Sequence, residues 1–355
     1  MTTISLYGFD RSRWRAGHHR LPLTVATILA LALGGTAIEA KEFRSSDVHS
    51  FDYPTVQAVT YMDGLIRART GGKHGIYILG QDDKDSEGFT VAQLRNGTLD
   101  MARVNLAAFN NSVPSTVVPT LPFLFKSTEH MRRVLDGPIG EEILADLEHH
   151  GLIGLCFYDT GARSFYSTKR PIQNAADMKG LRVRVQPSDR LEAVVRALGA
   201  EPIPLPFNRV LLSLQGGMVD TATDNWPSYV TARHYEVAKY YSMTEHSMAP
   251  GVLVFSKMVW DTLSKDDQAI IRAAAKESVP FMRQQWDQYQ TSERKALEAA
   301  GAQIITDVDK KSFSDALTPL YLTLVPDPKL QAMVTRIQSD QWPKEYRGET
   351  NGAYT

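Results

Sequence analysis

Apolar and polar residues alternate through GLRVRVQPSD, residues 180–189: Leu181, Val183 and Val185 fall on one side, Arg182 and Arg184 on the other. A period of two belongs to a strand with one buried face. The same reading gives strands at 43–48, 75–79, 151–158, 181–185 and 218–223. Between them the period lengthens to that of helices. One helix covers 53–69, opened by Pro54 and closed near Gly71 and Gly72. Another is capped by Ser188 or Asp189 and stopped by Gly199, and a third runs over 207–215 up to Gly216 and Gly217. Residues 201–206, EPIPLP, read as short and extended. Strands alternating with short helices predict βαβ units and parallel or mixed sheets, the α/β class.

The longest periodic stretch begins at Ser264, with Asp267 three residues on as a capping signal, and ends at Ala300 before Gly301. Pro280 should kink it, because proline removes a backbone donor and crowds the preceding turn. A helix of that length exceeds one small domain and is expected to act as a spine along two lobes.

The amino terminus changes the picture of where the protein works. Arg11, Arg13, Arg15 and Arg20 precede an apolar run over 21–33, followed by Gly34, Gly35, Thr36 and Ala37. This is the layout of a secretory signal peptide, cleaved after Ala37 or Ala40. The apolar run is shorter than the roughly 20 residues that span a bilayer. Removing residues 1–40 takes four arginines, one aspartate and one glutamate, leaving 35 basic and 38 acidic residues, a net charge of −3. That balance argues against a nucleic-acid partner, which needs a basic surface. About 315 residues remain, enough for two domains. Cys156 is the only cysteine, so no disulfide framework exists, and its apolar setting predicts a buried inert thiol.

Catalytic signatures are missing: no GxSxG, HExxH, CxxC or GxGxxG occurs. DDKDSEG, residues 82–88, has the start of a calcium loop, but the bidentate position falls on Leu94. His149 and His150 are expected in solvent, and His234 and His246 as structural histidines. No metal and no cofactor is expected. What does stand out is arginine among apolar or aromatic neighbours: Arg103 in MARVNL, Arg163 in TGARSFYS and Arg184, each near the end of a predicted strand. A guanidinium fork fits a carboxylate, and ligands settle beyond the carboxyl ends of strands in open α/β sheets. Two readings stay open here: a clamp for an organic anion, or three arginines each paired with a local Asp or Glu.

DMKGLRVRV, LGAEPIPLPFNRVLLSLQGGMVD and HYEVAKYYSMTEHSMAPGVLVFSKMVWDTLSKDDQ resemble the extracytoplasmic solute receptors of TRAP transporters, the DctP family. YPTVQAV, RTGG, DMARVN, LPFLFKSTEHM and DNWPSY further resemble the branch that binds hexuronates. The resemblance implies a two-lobed flytrap of α/β lobes, crossed by strands near 158–165 and 245–255. Lobe I then holds 41–160 and 250–288, and lobe II holds 161–249 and 289–345. It also implies a monomeric periplasmic receptor, not an enzyme, that hands an organic acid to membrane permease subunits. A small dicarboxylate or 2-oxo acid is the alternative ligand; a secreted uronate-acting enzyme and a ligand-sensing module are the alternative functions.

Carried over residue by residue, the resemblance places the principal carboxylate-binding arginine at Arg184, with Arg182 flanking, and a second at Arg163. Phe207 lines the pocket, Trp226 adds an apolar face, and Glu87, Asn105 and Asn225 contact hydroxyls. Asp47 and His49 lie in a region that contributes side chains, and Arg103 joins the arginine set. The chain departs from the family where Asp224 stands in place of a ligand-contacting asparagine. It departs again at Arg209 and Leu211, where an acid and a tyrosine are usual, and at Lys84–Asp85 before Ser86–Glu87.

Overall fold

The computed structural model describes residues 41–79, 86–248 and 250–339. The signal-peptide segment and residues 82–85 of DDKDSEG lie outside them. The strands are β1 Lys41–Ser46, β2 His74–Ile78, β3 Met101–Asn105, β4 Leu152–Tyr158, β5 Arg163–Ser167, β6 Arg182–Val185, β7 Glu201–Pro204, β8 Thr221–Asn225, β9 Tyr240–Ser247, β10 Gly251–Ser256 and β11 Gln303–Ile305. They form two sheets, ordered β2-β1-β3-β10-β4 and β11-β9-β5-β8-β6-β7. This is the two-lobed α/β architecture that the alternation of strands and helices predicts.

Strand direction determines where the sheets meet. In the first sheet β10 runs antiparallel between β3 and β4, so its first residue, Gly251, pairs with their last, Asn105 and Tyr158. In the second, Arg163 opens β5 opposite Asn225 and Ser247, which close β8 and β9. The chain passes from one sheet to the other between β4 and β5, through residues 159–162, and again between β9 and β10, joining these two edges. Both sheets therefore offer each other the edge where β3, β4, β6, β8 and β9 end. β4, LIGLCFY, is buried throughout and reads as an unbroken apolar run because both its faces are covered. Cys156 lies within it, and burial pushes its thiol pKa up to about 12, so it stays protonated.

The spine helix runs from Lys265 to Ala299 with Pro280 inside it. The Ser264 hydroxyl accepts the Asp267 N–H at 3.1 Å, as the capping signal requires. The helix packs on helix Pro54–Arg69 and β4 beside the first sheet, and on helix Trp226–Thr231 beside the second. It also holds the first crossing. Gly161 has φ +64°, and a Cβ there would sit 3.2 Å from the buried Trp286 ring. Asp159, two residues earlier, is buried between Arg132 of helix Thr128–Asp136 and Arg283 of the spine.

The carboxyl-terminal helices strap the back. Phe313 of helix Lys310–Leu317 stacks on Phe165 of β5, while Ile337 of helix Pro328–Ser339 offers its carbonyl to the His130 ring at 3.1 Å. One apolar core consequently runs from Val104 and Leu152 of the first sheet to Val183 and Val185 of the second. Two strands, β8 and β1, are displaced from the sequence pattern by two residues or more, the other predicted strands by one at most. The chain turns at Gly217 (φ +66°), and Met218 and Val219 donate their N–H groups to the Ser213 carbonyl. β8 therefore starts three residues late and carries Asp224 and Asn225 out to the facing edge. β1 ends at Ser46, leaving Asp47 in the bend beyond it.

Gly161→Ala should lower the melting temperature more than Gly180→Ala. Both residues have positive φ, a conformation that costs about 1–3 kcal/mol with a side chain, but only Gly161 is also closed in by Trp286. Calorimetry showing equal losses would remove the packing role of the crossing.

Candidate functional site

Arg184 sits third in β6. Val183 and Val185 enter the apolar core on one face, which sends Arg182 and Arg184 to the other. The two arginines then part company. Arg182 is half-exposed and pairs with Asp220 at 2.8 Å. Arg184 is only 1 % exposed, and its Nε donates to the Leu205 carbonyl at 2.9 Å. Among the described residues no carboxylate lies within ion-pair distance of it, and Nη1 and Nη2 have no acceptor. A buried guanidinium without an acid is costly unless something anionic completes it.

The other predicted arginines are already satisfied. Arg163 donates Nη1 to Asp224 Oδ1 at 3.0 Å and Nη2 to the Thr223 carbonyl. Asp224 Oδ1 also accepts the Asn225 N–H at 2.8 Å. Arg103 closes its fork on Asp47, which further accepts the Thr55 hydroxyl at 2.7 Å and the His49 N–H at 3.0 Å. Gly251 makes room for that fork, since a Cβ there would meet Arg103 Cδ at 2.8 Å. Arg103 and Arg163 each face an acid, and Arg184 is the one of the three whose fork has no carboxylate among the described residues.

Glu87 opens helix Glu87–Arg95, which Ser86 caps. Its Oε1 accepts the Asn105 N–H at 2.7 Å, and its Oε2 accepts Gln186 Nε2 at 3.3 Å across the two lobes. Asn105 Oδ1 caps the following turn through the Ala107 N–H. Asn225 likewise spends its Oδ1 on the Ser228 N–H, as the cap of the next helix.

Aromatic rings close the sides. His49 stacks on Tyr53 at 3.7 Å between centroids and meets the Phe207 edge at 5.6 Å, and Phe207 in turn meets His234 at 5.7 Å. Tyr53 bonds to Ser228 at 3.0 Å, again from one lobe to the other. Trp226 is placed elsewhere. It packs edge-on against Tyr241 with Arg294 over its ring, in an open cleft of about 440 Å³ lined by Asp287 and Gln290 of the spine. Tyr53, Gln186 and His234 belong to the site but carry no pattern in the sequence; for Gln186 the one signal is its position directly after the arginine strand.

Electrostatics follow from burial. Desolvation lowers the Arg184 pKa, with Asp224 opposing it, while the group remains charged. Burial raises the Glu87 pKa against the pull of Arg103 and the Asn105 N–H. Burial also penalises ionised Asp47, but Arg103 outweighs it and holds the carboxyl at about 2. His234 and His246 are both depressed by burial, to about 4 and about 3, so both are neutral at pH 7. No cluster among the described residues could hold a metal ion.

Residues 45–326 match the family described as bacterial extracellular solute-binding protein, family 7, DctP. The chain belongs to that family. A galacturonate-bound TRAP periplasmic solute-binding protein from a Bradyrhizobium species is 52 % identical, with a TM-score of 0.83 over 84 % of this chain and 100 % of its own. A second, from Xanthobacter autotrophicus with β-D-galacturonate, is 48 % identical, with a TM-score of 0.82 over the same shares. A third, from Chromohalobacter salexigens with D-glucuronate, is 33 % identical, with a TM-score of 0.81, again over 84 % and 100 %. This DctP chain is accordingly a solute receptor of the TRAP type and not an enzyme. No helix among its described residues is long and apolar enough to cross a membrane.

Two expectations follow for the ligand-free DctP chain. Arg184→Met should leave it as stable as wild type or more so, since it removes a buried charge with no partner. Arg103→Met should cost about 3–5 kcal/mol by stranding Asp47; denaturant titrations that show equal losses would contradict the difference. Stability should also fall as pH drops from 6.5 towards 4. The unfolded chain takes up protons there, while buried His234 and His246 do not. Calorimetry across that window checks the sign, and a flat profile would refute it.

Proposed function

We propose that this receptor works in the periplasm, after cleavage of the signal peptide, as a monomer that binds a hexuronate and delivers it to TRAP permease subunits. The observation that carries this reading is the buried fork of Arg184, open at the edge where the two sheets meet. The carboxylate of the sugar acid binds bidentately there. Glu87, Asp224 and Asn105 supply hydrogen-bonding groups for hydroxyls, and Phe207 with His49 forms the apolar walls. The uronates bound by the three solved relatives support this choice of ligand.

Lobe I comprises 41–160 and 250–288, lobe II 161–249 and 289–345, with the crossings as hinges. The Glu87–Gln186, Tyr53–Ser228 and His49–Phe207 contacts join the lobes on the cleft side, with Asn110–Ser188 and Asn111–Asp189 beside them. These links are polar or aromatic, unlike the apolar core behind them, so closure of the cleft depends on a ligand that touches both sides. No step alters the ligand; it leaves unchanged.

Calorimetric titration with D-galacturonate and D-glucuronate should show binding, and Arg184→Ala should weaken it at least 30-fold. Removing one partner of a buried charge pair costs about 2–5 kcal/mol. Solution scattering should show compaction on saturation. Wild-type affinity in Arg184→Ala would refute the site, and identical scattering profiles would refute ligand-driven closure.

A further inference from the structure

The cleft has three buried arginines but only one open guanidinium, and the residue responsible for this difference at Arg163 is Asp224. Its Oδ1 is taken by Arg163 and by the Asn225 N–H. The side chain is 4 % exposed, and among the described residues its Oδ2 receives no donor. Among the described residues the unfilled polar atoms at this edge are therefore of two kinds: Nη1 and Nη2 of Arg184, which donate, and Oδ2 of Asp224 with Oε1 of Gln186, which accept. Their complement is a molecule with one carboxylate and a hydroxyl set apart from it. A second carboxylate would find Arg163 and Arg103 already neutralised, with Asp224 and Glu87 repelling it.

We propose that Asp224 makes this receptor selective for hydroxylated monocarboxylates over the matching dicarboxylates, by neutralising Arg163 and presenting its free oxygen to a ligand hydroxyl. This rests on the Arg184 site proposed above and adds a rule for total ligand charge. An asparagine at 224 keeps the size and an Oδ1 acceptor but removes the charge that neutralises Arg163, leaving a second guanidinium without an ionic partner. Selectivity here comes from a repulsive element as much as from an attractive one.

The test is calorimetric titration of the purified mature chain with two pairs of probes, galacturonate against galactarate and gluconate against glucarate. Within each pair the acids share a carbon skeleton and differ in the number of carboxylates. Wild type should bind the monocarboxylate of at least one pair tenfold or more tightly than its partner. Asp224→Asn should narrow that ratio at least tenfold, with an unchanged circular dichroism spectrum. A purely structural role for Asp224 would weaken both acids alike and leave the ratio unmoved, which overturns the proposal. So does equal or tighter binding of the dicarboxylate by wild type, a comparison that does not depend on any variant folding. Tight binding of gluconate with no binding of galacturonate would refute the hexuronate reading yet uphold the charge rule. Failure to bind either monocarboxylate overturns both.

Discussion

A guanidinium buried without a carboxylate is the constraint around which this receptor is arranged. Moving such a charge out of water costs several kcal/mol, and the chain supplies Arg184 with a single carbonyl hydrogen bond to offset it. Nearby, Arg103 and Arg163 are matched to Asp47 and Asp224, so the protein has the means to neutralise an arginine and leaves one without. The cost is carried by the remaining core, which runs through both sheets and under the carboxyl-terminal helices. On the proposed reading, recognition needs no new charge at the moment of binding, because the fork is already fixed by a strand and by the Leu205 carbonyl.

The topology makes that fork useful. Strand ends that would face solvent in an isolated sheet are turned towards each other by the two crossings, and groups from both lobes converge there. The spine and the carboxyl-terminal strap tie the backs of the lobes together with extensive apolar packing. On the cleft side the links are a handful of polar and aromatic contacts. Under the proposed closure, this asymmetry would let the front part while the back holds, and a ligand that spans the cleft would gain leverage over the lobe angle. Trp286 against Gly161, with Asp159 held between two arginines, packs the first crossing against the spine.

Much of this was legible in the chain because it depends on local pattern. The alternation around Arg184 gave the strand and the face, Ser264 and Asp267 gave the start of the spine, and the apolar run at 151–158 gave a strand. Ion pairing was not legible. Asp47 lies 56 positions from Arg103 and Asp224 lies 61 from Arg163, so no spacing rule connects them. The same distance hid Tyr53 and Gln186, whose partners come from the opposite lobe. Trp226 shows the converse: it follows two site residues in sequence, yet the start of a helix at that point turns it towards the spine.

The most direct test of the account is a crystal structure of the chain with D-galacturonate. The carboxylate should lie on Nη1 and Nη2 of Arg184, with the Arg163–Asp224 pair intact and Asp224 Oδ2 accepting a sugar hydroxyl. A carboxylate seated on Arg163, with Asp224 swung away and Arg184 left untouched, would contradict it.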